Sequence, residues 1–421
     1  MGADTNRGYE AAMNPTTDTL FAAALSHGET LRRRRLVLYA GANLPSEAVL
    51  AAFAPALSAM PSMGPSFHKD QPGTELVSKF EVAIRNEACA LFHAAWAEPR
   101  LPSATLANLA VFHAFAAPGD LMLAPAPAHG GHLSQRSGGT PDLAGLICDE
   151  LPFDAANLCL DAEAAARMVE QRRPRLVMLG RSVMVRPDDI APVVAAARAV
   201  GATTVFDASH VAGLIAGGTY PNPLDAGVDV LVTSTYKTIP GLPHGLILGR
   251  NAAGGEKLAR LLDDRFLANN NSAMLPPLLL VLQEMTLTGA DYAGRVAANT
   301  QALAIACRAR GLPVIAPNAG FTHQMLIPID SSVSARDLIN ALEQHGVTVG
   351  SCPDITHPGR YALRVGTQFI TTLGLDTEAM ETVADILDSL LSVGDTNGVV
   401  LRGDTPASRA AGLARVERLL A

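Results

Sequence analysis

Between Arg175 and Gly249, short apolar runs alternate with a helical stretch. RLVMLG reads as a buried strand, and TTVFDASH as the next one. Between them PDDIAPVVAAARAVG reads as an amphipathic helix, with Pro187 and acidic residues at its start and Gly201 at its stop. DVLVTST and GLILG follow, both short and apolar. Strand, helix, strand units of this kind predict an α/β fold. Its sheet is mostly parallel, covered on both faces, and takes ligands at the C-terminal strand ends. The polar residues that close each strand are therefore the candidates for chemistry.

Upstream, SATLANLAVFHAFAAPGDLMLAP predicts a helix that opens at Ser103, closes near Pro118-Gly119 and leads into another strand. Downstream, MLPPLLLVLQEMTLTG runs through a connecting helix, TQALAIACRARG, into a tail with its own pattern. There HQMLIPI and YALRVGT read as strands, ARDLINALEQHG and TEAMETVADILDSLLSVG as amphipathic helices. The predicted division is an N-terminal segment over 1–55, a large domain over 56–290 and a smaller C-terminal α+β domain over 291–421.

A chain of 421 residues, 48% hydrophobic, can bury one large core and a second smaller one. Its formal charge of -8 and pI near 5.8 speak against a nucleic-acid partner, which needs clustered cations to neutralise phosphates. The run Arg32-Arg33-Arg34-Arg35 reads as a solvated entry to the following strand. Five widely spaced cysteines without a CxxC pair indicate neither a disulfide framework nor a metal site. No leader-like apolar stretch opens the chain, and no window reads as a membrane span, so the expectation is a cytoplasmic protein with no membrane partner.

Only Lys69, Lys79, Lys237 and Lys257 among the 32 basic residues are lysines. A lysine just past an apolar strand therefore raises a chemical question, because arginine cannot replace it as an amine nucleophile. Asp207 closes one strand, and Lys237 follows thirty residues later just past the next. Taken singly they read as a turn cap and a surface charge. Taken together they suit pyridoxal phosphate: the amine forms a Schiff base, and a buried carboxylate keeps the pyridine nitrogen protonated. GGHLSQRSGG lacks the GxGxxG spacing of a dinucleotide loop.

At these segments the chain resembles the serine hydroxymethyltransferase family. FDASHVAGLIAGGTYPNP is similar to the family's D-x-A-H-I-A-G-L-x-A-x-G-x-Y-P-x-P, and TSTYKTIPGLPHGLIL to T-T-T-H-K-T-L-x-G-P-R-G-G-x-I-L. SATLAN, PAHGGHLS, GRSVMVRPDD and LRVGTQFITTLG extend the resemblance, in order, over roughly residues 35 to 375. It implies the fold type I architecture of pyridoxal-phosphate transferases: a mostly parallel, mixed seven-stranded sheet between helices, and a small C-terminal α+β domain.

The resemblance also implies roles. Ser103, Ala104 and Thr105 would hold the cofactor phosphate at a helix start, where free N–H groups and the dipole favour an anion. His129 would lie against the pyridine ring, and His132 would be structural. Ser182 would sit near the phenolic oxygen, and Asp207 would face the ring nitrogen. His210 would stand beside the imine that Lys237 forms. Thr233, Ser234 and Thr235 would serve the phosphate or hold the loop. Arg364 would pair with the substrate carboxylate, as a planar guanidinium does well.

The sequence departs from the family around the substrate. Ala40-Gly41-Ala42-Asn43 stands where the family has A-S-E-N. Pro61 and Met63 stand roughly where it has an active-site Tyr and a proton-handling Glu, with His68, Lys69 or Asp70 as residues that could swing in. Tyr236 replaces a His, and Leu242-Pro243-His244 replaces Pro-Arg-Gly. RFLANNNSAMLP, with Asn270 and Ser272, replaces a loop that in the family reaches a neighbouring subunit's phosphate. These changes lead to the expectation of a folate-independent aldolase or transaldolase that breaks or forms the Cα–Cβ bond of a β-hydroxy amino acid, with an aldehyde co-substrate and a homodimeric assembly. The alternatives are a folate-dependent hydroxymethyltransferase, an aminotransferase or racemase of the same fold, and a non-catalytic cofactor-binding protein.

Overall fold

The computed structural model describes residues 17–421; residues 1–16, which carry most of the opening stretch read for a leader, lie outside the described residues. The large domain holds a seven-stranded sheet of β1 (Trp96–Leu101), β2 (Leu121–Pro125), β3 (Ile147–Leu151), β4 (Leu176–Leu179), β5 (Thr203–Asp207), β6 (Val230–Ser234) and β7 (Gly245–Gly249). The spatial order is β1-β7-β6-β5-β4-β2-β3, and only β7 runs against its neighbours.

Alternation inside the apolar runs explains why they are strands. In β4, Leu176 and Met178 enter the core on one face, and Val177 and Leu179 enter the core on the other. One face is covered by α2 (Ala104–Phe115) through Ala107, Val111 and Phe112. The opposite face is covered by α1 (Glu75–Phe92), α3 (Ala162–Arg172), α4 (Ala191–Val200) and the first half of the long helix α5 (Leu275–Ala309). With every side chain of β4 and β6 buried, period two is visible only as which core each residue joins.

The helix expected from Pro187 begins instead at Ala191. Asp188 does not cap it: its carboxylate takes two N–H groups of Arg181 at 3.0 Å each and the Leu160 N–H at 2.8 Å. Residues 187–190 are thereby held as a loop, and Gly201 ends the helix in the left-handed region at φ 77°.

In the small domain β8 (Gln324–Pro328), β10 (Tyr361–Gly366) and β9 (Gly350–Pro353) form an antiparallel sheet in the order β8-β10-β9. It packs on α6 (Ala335–Gln344), α7 (Ala379–Leu390) and the second half of α5. The short strand Leu36–Val37 pairs in parallel with Val347–Thr348, so this part of the N-terminal segment builds into the small domain. A division at residue 290 falls inside α5, which contributes Leu278, Leu282 and Val296 to the large core and Leu303 and Cys307 to the small one. By length and composition the helical stretch Ser272–Ala309 could reach across a membrane; here it lies between these two cores.

Beside β1 the large domain buries a cluster of charges. Lys69 Nζ lies 2.7 Å from Glu81 Oε1, with side-chain exposures of 2% and 0%. Ser66 Oγ donates to Glu81 Oε2, and Lys69 Nζ also donates to the Gly64 carbonyl at 2.8 Å. Removing one partner of such a pair leaves an uncompensated buried charge, at a cost of about 3–5 kcal/mol. Glu81→Ala is therefore expected to lower unfolding stability by that amount in urea titration; a loss under about 1 kcal/mol would show that solvent reaches Lys69.

Candidate active site

The polar ends of the parallel strands converge, as the sheet topology requires. Asp207 closes β5, and Ser234 closes β6 three residues before Lys237. The turn after β4 carries Ser182, and the turn after β2 carries His129. Ser182 N–H donates to the Gly130 carbonyl at 2.8 Å, which sets these two turns side by side.

The lysine loop is tied down at several points. Thr235 Oγ1 donates to the Leu242 carbonyl at 2.7 Å, and Thr238 Oγ1 donates to the His210 carbonyl at 3.0 Å. Gly213 is needed for that second contact, since a Cβ there would lie 2.2 Å from the Thr238 carbonyl oxygen. Asn43 secures the lysine backbone: its Nδ2 donates to the Lys237 carbonyl at 2.7 Å and bonds the Tyr292 hydroxyl at 2.8 Å. Its Oδ1 accepts from Thr372 at 2.9 Å. One amide thus links the lysine loop, α5 and the small domain.

Lys237 Nζ is 3.2 Å from His210 Nε2. Burial pushes its pKa down to about 8, with Arg364 adding to the fall and Asp207 opposing it. His210 is held well below the ordinary imidazole value, first by burial and then by the positive charges of Lys237 and Arg364. His129 and His132 are lowered too, mainly by burial. These imidazoles are neutral at pH 7.

The buried Asp207 carboxylate accepts from Asn108 Nδ2 at 2.9 Å and from the Ser209 N–H at 3.0 Å. Asn108 also donates to Ser134 Oγ at 3.0 Å, and Ser134 meets His132 Nδ1 at 2.9 Å. Arg364, on β10, gives one Nη1–H to the Ser182 carbonyl at 2.9 Å. The His129 ring stacks on Phe153 at 4.4 Å between centroids.

Ser103 caps α2, its Oγ accepting the Leu106 N–H at 3.3 Å, so Ala104 and Thr105 lie in the first turn. Gly245 lets β7 run against that turn, where a Cβ would lie 2.4 Å from the Ser103 carbonyl oxygen. Ser234 is engaged with Ser209 through its N–H at 3.2 Å and its hydroxyl at 3.4 Å. The Pro61–Met63 segment is fastened elsewhere: Ser62 N–H donates to Asn269 Oδ1 at 3.1 Å, and Met63 N–H to Gln71 Oε1 at 2.8 Å. Asn270 and Ser272 bond each other at 2.7 Å.

A profile described as serine hydroxymethyltransferase matches residues 15–387. The chain belongs to the serine hydroxymethyltransferase family. It is 30% identical over 367 residues to a serine hydroxymethyltransferase of Aeropyrum pernix, covering 85% of this chain and 83% of the relative. It is 31% identical over 362 residues to an alpha-methylserine aldolase of Variovorax paradoxus, covering 85% and 82%. A crystal structure of L-threonine transaldolase from Pseudomonas fluorescens, in its internal aldimine state, superposes with a TM-score of 0.85 at 25% identity, over 99% of this chain and 93% of that one.

This member of the family is a pyridoxal-phosphate enzyme with the fold type I architecture. Its residues fit the cofactor: the lysine amine is desolvated, and Asn108 Oδ1, His129 Nδ1 and Arg364 Nε are buried atoms without a hydrogen-bond partner among the described residues. Asn108, His323 and Gln324 had no assigned role in the sequence reading. Asn108 was visible only as the last letter of SATLAN, and the other two as the opening of an apolar strand.

Because an amine reacts as its free base, a pKa lowered to about 8 brings reactivity to lower pH. In cofactor-free protein, carbamylation of Lys237 followed by peptide mass spectrometry should rise with pH through a midpoint near 8. A midpoint above about 10, the value of a free lysine side chain, would mean that the amine is solvated.

Proposed function

We propose that the enzyme breaks or forms the Cα–Cβ bond of a β-hydroxy amino acid without folate, as an aldolase or a transaldolase that passes the glycyl unit to an aldehyde. The observation that carries this reading is an intact cofactor frame beside a 61–65 segment with no ionisable side chain. Of the residues that follow it, Lys69 is occupied by its buried pair with Glu81. The names of the Variovorax and Pseudomonas relatives point the same way. That of the Aeropyrum relative keeps the folate-dependent reaction as the second reading.

Bound pyridoxal phosphate supplies an electron sink for charge developing at the substrate Cα. In this reading Lys237 holds the cofactor through its Nζ, and Asp207 keeps a proton on the ring nitrogen. Asn108 Nδ2 and the Ser209 N–H hold that carboxylate in place by hydrogen bonds. The N–H groups at Ser103, Ala104 and Thr105 take the phosphate, with Ser234 and Thr235 shaping the facing loop. His129 lies against the ring, and Ser182 orients the phenolic side. Arg364 keeps N–H groups beyond its Ser182 contact for the amino-acid carboxylate.

A homodimer is part of the proposal, supported by exposed Leu50, Phe53, Met60, Phe67 and Leu76, which crowd between residues 50 and 76. The LPPLLLVL segment contributes less, because Leu275, Leu278, Val281 and Leu282 are spent in the large core. A reducing cytoplasm accords with five free cysteines. The three-part division of the chain is retained with α5 as the element that both cores share.

Serine cleavage with and without tetrahydrofolate, beside threonine cleavage alone and with an added aryl aldehyde, tests the reading. Folate-independent release of glycine from threonine, or its capture as a new β-hydroxy amino acid, is expected to be fastest. Serine cleavage accelerated by folate above all other reactions would overturn it.

A further inference from the structure

We propose that Tyr39 is a substrate-binding residue whose hydroxyl donates to the amino-acid carboxylate beside Arg364. Its backbone is fixed: Tyr39 bridges Val365 in an antiparallel pair, and its carbonyl accepts Gln368 Nε2 at 2.9 Å. Two glycines set its ring. A Cβ at Gly350 would lie 2.6 Å from Tyr39 Cε2, and one at Gly41 would lie 2.9 Å from Cε1 and 3.4 Å from the hydroxyl oxygen. Tyr39 remains 38% exposed, and its hydroxyl has no hydrogen-bond partner among the described residues.

Register places that ring beside Arg364. Gly350 on β9 pairs with Arg364 on β10, and residues opposite each other in an antiparallel pair project to the same face. Leu326 on β8 pairs with Arg364 from the other side, and it packs with Val183 of the large domain. Arg364 crosses the same boundary to the Ser182 carbonyl. The Tyr39 phenol therefore fills the space over Gly350 on the face that looks into the site. Tyr236 marks the lysine end of that space, its ring centre 5.7 Å from Lys237 Nζ. The Tyr236 hydroxyl is raised above the ordinary phenol value by burial and then by the neighbouring Tyr39 and Asp207, so the two phenols face one site from its two ends.

Gly41 stands at the serine position of the family's A-S-E-N, and the Tyr39 phenol takes the room that a serine side chain would need there. A hydroxyl missing at 41 is thus supplied from 39. An enclosed carboxylate has about four lone-pair sites, and a guanidinium fork meets only part of them. Arg364 keeps a free Nε but commits one Nη1–H to Ser182, which leaves room for a further donor. A phenol hydroxyl donates there without adding a charge. This deepens the proposed function and rests on Arg364 as the residue that takes the carboxylate.

The test is calorimetric titration of the cofactor-loaded enzyme with glycine and with glycinamide, which keeps the amine and lacks the carboxylate. Tyr39→Phe retains the ring and removes only the hydroxyl. It is expected to weaken glycine binding about 10-fold, as the loss of a hydrogen bond to a charged group does, and to leave the affinities for glycinamide and pyridoxal phosphate unchanged. Unchanged glycine affinity in Tyr39→Phe overturns the proposal. An equal loss for glycine and glycinamide also overturns it, because the hydroxyl would then act on the fold or the cofactor. Arg364→Ala is titrated alongside. Intact glycine binding in that variant would overturn the carboxylate role of Arg364 in the functional reading, while a loss confined to glycine in Tyr39→Phe would still support Tyr39.

Discussion

A lysine amine enclosed at the edge of an apolar sheet is costly to keep charged, and the rest of the site is arranged around that cost. Burial lowers the pKa of Lys237. Asp207 pulls toward the cation, Arg364 pulls away, and the balance leaves a pKa of about 8. The imidazoles packed beside the amine share the constraint. His323 falls to about 3 because it is buried and faces Arg364. Such rings position and donate at neutral pH without adding charge.

That arrangement depends on two domains staying in register. The lysine and the aspartate come from the large sheet, while Gln324, His323 and Arg364 come from the small one. Three elements carry the connection. Helix α5 belongs to both cores, the segment after Leu36–Val37 brings Asn43 to the lysine loop, and Arg364 and Gln324 share the Ser182 carbonyl. The loop over residues 61–70 is held separately, by the ion pair of Lys69 and Glu81 and by the Arg100 contact to the Gly64 carbonyl at 3.3 Å.

Much of the fold was legible because each central strand is a short apolar run closed by a polar residue, and buried parallel strands have no solvent face to obscure the pattern. The start of α4 was misplaced because Asp188, which resembles a helix-start residue, is bound by Arg181. Asp207 and Lys237 could be picked out by their places at strand ends. Gln324 could not, since its partners at Ser182, Met184 and His210 lie more than 110 positions away in the sequence. Lys69 read as a residue free to move because its partner, twelve residues on, becomes a neighbour only once α1 packs against the loop.

The account stands on Lys237 as the residue that holds the cofactor. Reducing the cofactor-loaded enzyme with borohydride and mapping the pyridoxylated peptide tests this directly. The account predicts the label on Lys237, in TSTYKTIPGLPHGLILGR, and its disappearance in Lys237→Ala. A label on Lys69, Lys79 or Lys257 would contradict the site.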